Sequence, residues 1–234
     1  EDGTIEQTIT RTQLLQSVED AAARLCGLGL HAGDRVALDF GNSAELLVIS
    51  WAAWSIGVAT VPLDTKRDTE ELRAYKVRTT GAAQVLKHGA LAAATPAPPA
   101  WIRGRAHEAL VLFTSGTTAY PKGAQLTLEN LIVNAESIRE WLRVGEDDRF
   151  LVELPLHHIN STTFCLSALL AGASIAIPPT YSNSRFWTQA AHSGTTYTSI
   201  VPSIVFDQLG RVTEFEAVKD RMRLTRIQLG SAPV

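Results

Sequence analysis

The spacing of apolar and polar positions divides the chain into alternating helical and extended stretches. Thr10, with Gln13 three residues on as in a capping box, precedes Leu14, Val18, Ala21, Ala22 and Leu25 at helical spacing, and Gly27 and Gly29 end the run. Gly33-Asp34 turns into a predicted strand over 35–40. Asn42-Ser43 then opens a helix to residue 55 that is apolar nearly all round, the pattern of a buried helix, with Trp51 and Trp54 expected in the core. A short strand at 60–63, a polar loop at 64–68, a surface helix at 69–80 and a short strand at 84–86 follow. Residues 90–99, uncharged and rich in Ala and Pro, read as a flexible surface linker.

The second half keeps the same rhythm. A strand is predicted at 109–113, and Thr127 is placed to cap a helix whose Leu128, Leu131, Ile132, Ala135, Ile138 and Leu142 form one stripe. Strands at 150–153, 174–177, 197–201 and 226–229 alternate with helices at 162–170, 186–192 and, from Pro202, to 209. Such alternation predicts an α/β fold with mostly parallel sheets covered by helices. Ligands of such sheets sit at the carboxyl ends of strands. Residues 114–123, the segment around His157-His158 and the terminal Gly230-Ser231-Ala232-Pro233 all follow strands, so they are expected to converge on one crevice.

Composition narrows the choice. The chain has 234 residues, is 45% hydrophobic and 19% charged, and carries a net charge of −3 with no basic block. It can bury a sizeable core, and nucleic acid is excluded as a main partner. No apolar run is long enough to span a bilayer, and no signal peptide is visible. Cys26 and Cys165 make no disulfide framework, and a reduced cytoplasmic protein is the expectation. The chain starts at Glu1 without methionine and stops one loop beyond an apparent strand, so it reads as a piece of something longer.

The chemistry concentrates between Leu112 and Leu126. An apolar run leads into the hydroxyls of Thr114, Ser115, Thr117 and Thr118; Gly116 and Gly123 bend the path, and Pro121 blocks a helix before Lys122. Inward-turned backbone N–H groups, hydroxyls and a lysine suit a polyphosphate. The string is not a Walker loop, which needs Gly before the lysine and Ser or Thr after it. The plain alternative is a polar loop between strands. His157-His158 invites a metal reading, but adjacent residues on a strand face opposite sides and do not share an ion. Asp39 and Asp64 lack a paired carboxylate near either motif, and solvated or capping roles are expected for them.

Thr-Ser-Gly-Thr-Thr-Ala-Tyr-Pro-Lys-Gly, residues 114–123, resembles the phosphate loop of the adenylate-forming superfamily of acyl-CoA synthetases, luciferases and nonribosomal peptide adenylation domains, with Ala119 in place of the usual glycine. Pro155-Leu156-His157-His158-Ile159-Asn160 resembles the family segment whose histidine, here His158, lines the carboxylate entrance, with Ser161 where glycine is usual. Residues 198–202 resemble the segment beside the acyl pocket, and Leu229-Gly230-Ser231-Ala232-Pro233 the stretch along the adenine and acyl pocket floor. Residues 33–37, 42–43 and 57–63 stand in the family's order as well, so the likeness covers almost the whole chain.

The resemblance implies ATP-dependent activation of a carboxylic acid to an acyl-adenylate, with release of pyrophosphate and transfer to a thiol of coenzyme A or a carrier protein's phosphopantetheine. It implies phosphate binding by Thr114, Ser115, Gly116, Thr117, Thr118, Lys122 and Gly123, with Thr118 as the candidate Mg2+ ligand. Catalytic roles fall to Lys122 and His158. His158, Ser203, Gly230, Ser231 and Ala232 are assigned to the adenine and acyl pockets. Amino-acid-activating relatives carry an aspartate in the histidine segment; none is present here, which favours a fatty, aryl or other acid. By resemblance the chain is the N-terminal core in two interleaved lobes, about 41–145 and about 1–40 with 146–234, without the C-terminal lid, and alone it is expected to be inactive or impaired. The alternatives are a nucleotide- or acyl-binding module without the lid and an unrelated P-loop-like NTPase.

Overall fold

The computed structural model describes residues 5–114 and 121–230. Its contacts divide it into two units, one spanning Ile9–Leu131 and the other made of the residues before Ile9 together with those from Ile132 onward. In the first, α1 (Arg11–Gly27) opens on the expected capping box: Thr10 Oγ1 accepts from the Gln13 N–H at 3.2 Å, and Gln13 Oε1 accepts from the Thr10 N–H at 2.9 Å. There follow β1 (Arg35–Asp39), α2 (Ala44–Ser55), β2 (Ala59–Pro62), α3 (Glu70–Thr80), β3 (Gln84–Lys87), β4 (Glu108–Thr114) and β5 (Lys122–Thr127). The strands form one sheet in the order β3-β1-β2-β4-β5, parallel except for β5. Residues Leu46 to Trp54 of α2 are all buried, as the all-round apolar pattern requires. The Trp54 indole donates to Thr60 Oγ1 at 3.0 Å and Thr60 donates to the Ala109 carbonyl at 3.3 Å, which ties α2, β2 and β4 together.

Three expectations change here. The stretch after Pro121 is a strand, β5, because its backbone pairs antiparallel with β4 although its side chains carry little strand signal. Residues 90–99 are no free linker: Arg24 donates to the carbonyls of Leu91, Ala92 and Ala94 at 3.1, 3.3 and 2.8 Å, and the Ala97 N–H bonds the Ala23 carbonyl at 2.9 Å. Gly27 permits that crossing, since a Cβ there would lie 1.7 Å from the Thr95 carbonyl oxygen. Residues 9–40 join the first sheet rather than the second, because β1 lies hydrogen-bonded between β3 and β2.

α4 (Leu128–Leu142) leads into the second unit, which contains β6 (Arg149–Leu151), α5 (Ile159–Ala171), β7 (Ser174–Ala176), α6 (Phe186–His192), β8 (Tyr197–Ile200), α7 (Pro202–Leu209) and β9 (Arg226–Leu229). Its strands are all parallel, in the order β7-β6-β8-β9. Phe150 packs between Phe164 and Tyr197, with ring centroids 5.3 and 5.1 Å away. No helix among the described residues is long and apolar enough to cross a membrane.

Asp148 joins β6, β8 and β9 at their amino ends. It accepts from the Gly145 N–H at 2.9 Å, from the Thr196 hydroxyl at 2.7 Å and from the Arg226 guanidinium. Burial pushes its carboxyl up, and those donors outweigh it, holding Asp148 below the ordinary carboxylate value. Asp148→Asn is therefore expected to lower stability by about 2–4 kcal/mol at neutral pH, since Arg226 loses its anion. The wild-type advantage is present above the unfolded carboxylate value and fades as pH falls through the lower folded one. Denaturant unfolding of both proteins at neutral and acidic pH checks this; a loss well under 1 kcal/mol at neutral pH contradicts it.

Candidate functional site

The ladder between β4 and β5 runs from Glu108↔Thr127 to Thr114↔Lys122, so it ends on two residues of the phosphate-type loop. Thr114 and Lys122 are both exposed there, and the Thr114 hydroxyl donates to the Lys122 carbonyl at 3.5 Å. No anionic side chain pairs with the Lys122 ammonium among the described residues, so its charge is open to an anion. Gly123 lets the strands close at the mouth: a Cβ there would meet Val111 Cγ1 at 3.0 Å. The Tyr75 hydroxyl, from α3, donates to the Pro121 carbonyl at 3.3 Å and braces the same edge. Ser115, Gly116, Thr117, Thr118 and Ala119 lie outside the described residues.

In the second unit, His157 and His158 lie in a turn and not on a strand. His158 is the exposed N-cap residue of α5, with no side-chain capping bond, and its ring centroid is 4.5 Å from that of His157. The expected separation onto opposite faces fails because β6 ends at Leu151 and the chain has left extended geometry. Among the described residues no group of three or more His, Cys, Asp or Glu side chains is placed to hold a metal ion. The helix starts earlier than expected, and Ser161 and Thr162 use its first turn to fix the preceding segment. Their hydroxyls donate to the carbonyls of Leu154 and Leu156 at 2.9 and 3.0 Å. Ser203 is exposed in the first turn of α7, and the Gly230 N–H bonds the Ile200 carbonyl at 3.2 Å, joining the ends of β8 and β9. Ser231 and Ala232 lie outside the described residues.

The carboxylates divide sharply. Asp39 is neither solvated nor a cap: its side chain is 8% exposed and pairs with Arg73 at 2.9 Å and Lys87 at 3.7 Å. Asp64 does cap a turn, accepting from the backbone N–H groups of Lys66 and Arg67 at 3.0 Å each. Glu153, absent from the expected site residues, is 1% exposed, and neither carboxyl oxygen has a hydrogen-bond partner among the described residues. Burial pushes its carboxyl up to about 8.

A sequence model of the family described as "AMP-binding enzyme" matches residues 4–100 and 74–234. Over 114 residues the chain is 39% identical to a sulfoacetate–CoA ligase of Cupriavidus necator, an alignment covering 48% of this chain and 22% of the relative. It is 26% identical to a long-chain-fatty-acid–CoA ligase of Mycobacterium tuberculosis over 97% of this chain and 50% of the relative. The chain thus spans about half or less of the length of these curated relatives. Among solved structures, the o-succinylbenzoate CoA synthetase of Bacillus subtilis in complex with its acyl-adenylate intermediate superposes with a TM-score of 0.84 at 25% identity, covering 98% of this chain and 64% of that one. The fold is the expected one.

The buried carboxyl of Glu153, without a hydrogen-bond partner among the described residues, makes stability depend on pH. Below the unfolded value near 4.5 both states keep the proton, and between 4.5 and about 8 only the folded chain keeps it, so stability falls as pH rises through that window. The slope is about 1.4 kcal/mol per pH unit. Between about pH 5.5 and 7.5, wild type is expected to lose roughly 3 kcal/mol relative to Glu153→Gln. Denaturant titrations at the two pH values measure the difference, and parallel curves with no divergence contradict a neutral buried acid.

Proposed function

This chain belongs to the AMP-binding enzyme family, and from that premise we propose that it serves ATP-dependent activation of a carboxylic acid to an acyl-adenylate, followed by transfer to the thiol of coenzyme A or of a carrier protein's phosphopantetheine. The observation that carries the reading is the mouth of the β4–β5 hairpin, where Thr114 pairs with Lys122, whose ammonium has no ion-pair partner among the described residues, across the ends of a hydroxyl-rich loop. Lys122 and the hydroxyls of Thr114, Ser115, Thr117 and Thr118 hold the β- and γ-phosphates of ATP. When bound, a magnesium ion offsets phosphate charge, with Thr118 as its candidate ligand. His158, exposed ahead of α5, orients the acid; Ser203, Gly230, Ser231 and Ala232 line the adenine and acyl pockets.

An oxygen of the substrate carboxylate forms a bond to the α-phosphorus. The bond from that phosphorus to the bridging oxygen breaks, and its electron pair leaves with pyrophosphate. The thiol sulfur then attacks the acyl carbon, the bond from that carbon to the phosphate oxygen breaks, its electron pair leaves with AMP, and the thiol proton passes to solvent. No protein nucleophile is needed, only positioning and stabilisation of the charge that builds on the leaving group. The absence of an aspartate around His157-His158 favours acids without an α-ammonium, in line with relatives named for sulfoacetate, succinylbenzoate and long-chain fatty acids.

Removing the ammonium from a phosphate contact costs about 1.5–3 kcal/mol, or roughly 10- to 100-fold in affinity. In the full-length natural protein, Lys122→Ala is expected to weaken Mg·ATP binding by that factor while the circular dichroism spectrum and unfolding midpoint stay as in wild type. Calorimetry checks this, and unchanged affinity contradicts the assignment. Mass spectrometry of reactions with Mg·ATP and a panel of acids is expected to show an acyl-adenylate with matching pyrophosphate.

A further inference from the structure

Glu153 lies where the second sheet changes direction. From β6 the chain passes through α5 to β7 on one side, then through α6 to β8 on the other side of β6. The β6–β8 boundary is therefore the topological switch point, and its ligand side is the carboxyl end of those strands. Glu153 stands two residues beyond the end of β6, still held to the sheet by the Val152 N–H bond to the Ala176 carbonyl at 3.0 Å. The loop after it is pinned by the hydroxyls of Ser161 and Thr162.

Its described surroundings supply no partner. Leu154, Phe186, Ile200 and Ile204 form the apolar cluster at this end of the sheet. Tyr181 is within electrostatic reach of Glu153, but its hydroxyl donates to Asp207 at 3.2 Å and accepts from Gln208 at 2.9 Å. No lysine, arginine or histidine forms an ion pair with Glu153 among the described residues. A carboxyl sealed from water with no hydrogen bond is costly, and native structures rarely keep one without a use.

We propose that Glu153 is a specificity-determining residue of the acid-binding site, where its carboxyl pairs with a hydroxyl group carried by the substrate acid. This rests on the acid-activation reading above and names the substrate class. A carboxyl both donates and accepts, which matches a hydroxyl; an ammonium would ionise it and leave a charge pair beside the apolar cluster of Leu154, Phe186, Ile200 and Ile204, where desolvation opposes it. A site built around a buried polar group also rejects the analogue that leaves it unpaired.

The test measures acid-dependent pyrophosphate release by the full-length natural protein with matched pairs: 4-hydroxybenzoate against benzoate, and a hydroxylated medium-chain fatty acid against its parent. Wild type is expected to favour the hydroxylated member of at least one pair by about 10-fold or more in kcat/KM. Glu153→Leu should bring that ratio to about one, chiefly by raising KM for the hydroxylated acid, and Glu153→Gln, whose amide also donates and accepts, should keep most of it. A ratio unchanged in Glu153→Leu, equal losses on both acids, or a preference for amino-bearing acids overturns the proposal. If acids are activated without a preference that depends on Glu153, this proposal alone falls. If no acid yields pyrophosphate although ATP binds, the acid-activation reading falls and takes the proposal with it.

Discussion

The antiparallel ladder of β4 and β5 is the constraint on which the candidate phosphate site depends. Pairing continues to Thr114↔Lys122, so the loop leaves and re-enters the sheet at fixed, facing positions. The ladder is itself anchored: Thr60 bonds the Ala109 carbonyl of β4, and Arg35 grips Glu108 through contacts of 2.6 and 2.8 Å. The core of α2 and β2 thereby sets the frame that the exposed lysine extends from.

Buried charge is handled in two ways. Asp39 with Arg73, Asp68 with Lys76 at 2.6 Å, and Asp148 with Arg226 are paired, and each pair ties a strand or loop to a neighbouring element. Pairing offsets desolvation, so such groups hold the scaffold without needing a ligand. Glu153 has no such partner among the described residues and keeps its proton instead. The paired groups are satisfied within the chain, whereas Glu153 is the group for which a substrate hydroxyl is proposed.

Much of this was legible in the sequence where burial follows from period. The run from Leu14 to Leu25 and the all-apolar face of α2 announce their helices, and Trp51 and Trp54 lie in the core as expected. Features made by distant partners were not legible. Gly123-Ala124-Gln125 carries no strand preference, and β5 exists because β4 is beside it. The Ala- and Pro-rich stretch looks loose until Arg24 reaches it. The predicted strand at 150–153 runs two residues past the true end of β6, and the turn that brings the His157 and His158 rings together has no signature in the sequence. Glu153 did leave a signal, the single acid in Phe150-Leu151-Val152-Glu153-Leu154, but only the fold shows that its position is buried and without a hydrogen-bond partner among the described residues.

The most direct measurement of the central claim is ATP–pyrophosphate exchange by the full-length natural protein, with labelled pyrophosphate, Mg·ATP and a carboxylic acid but no thiol. Reversible adenylate formation predicts that label enters ATP only when a suitable acid is present, and without coenzyme A. Exchange that ignores the acid, or cleavage of ATP to ADP and orthophosphate, would contradict the account.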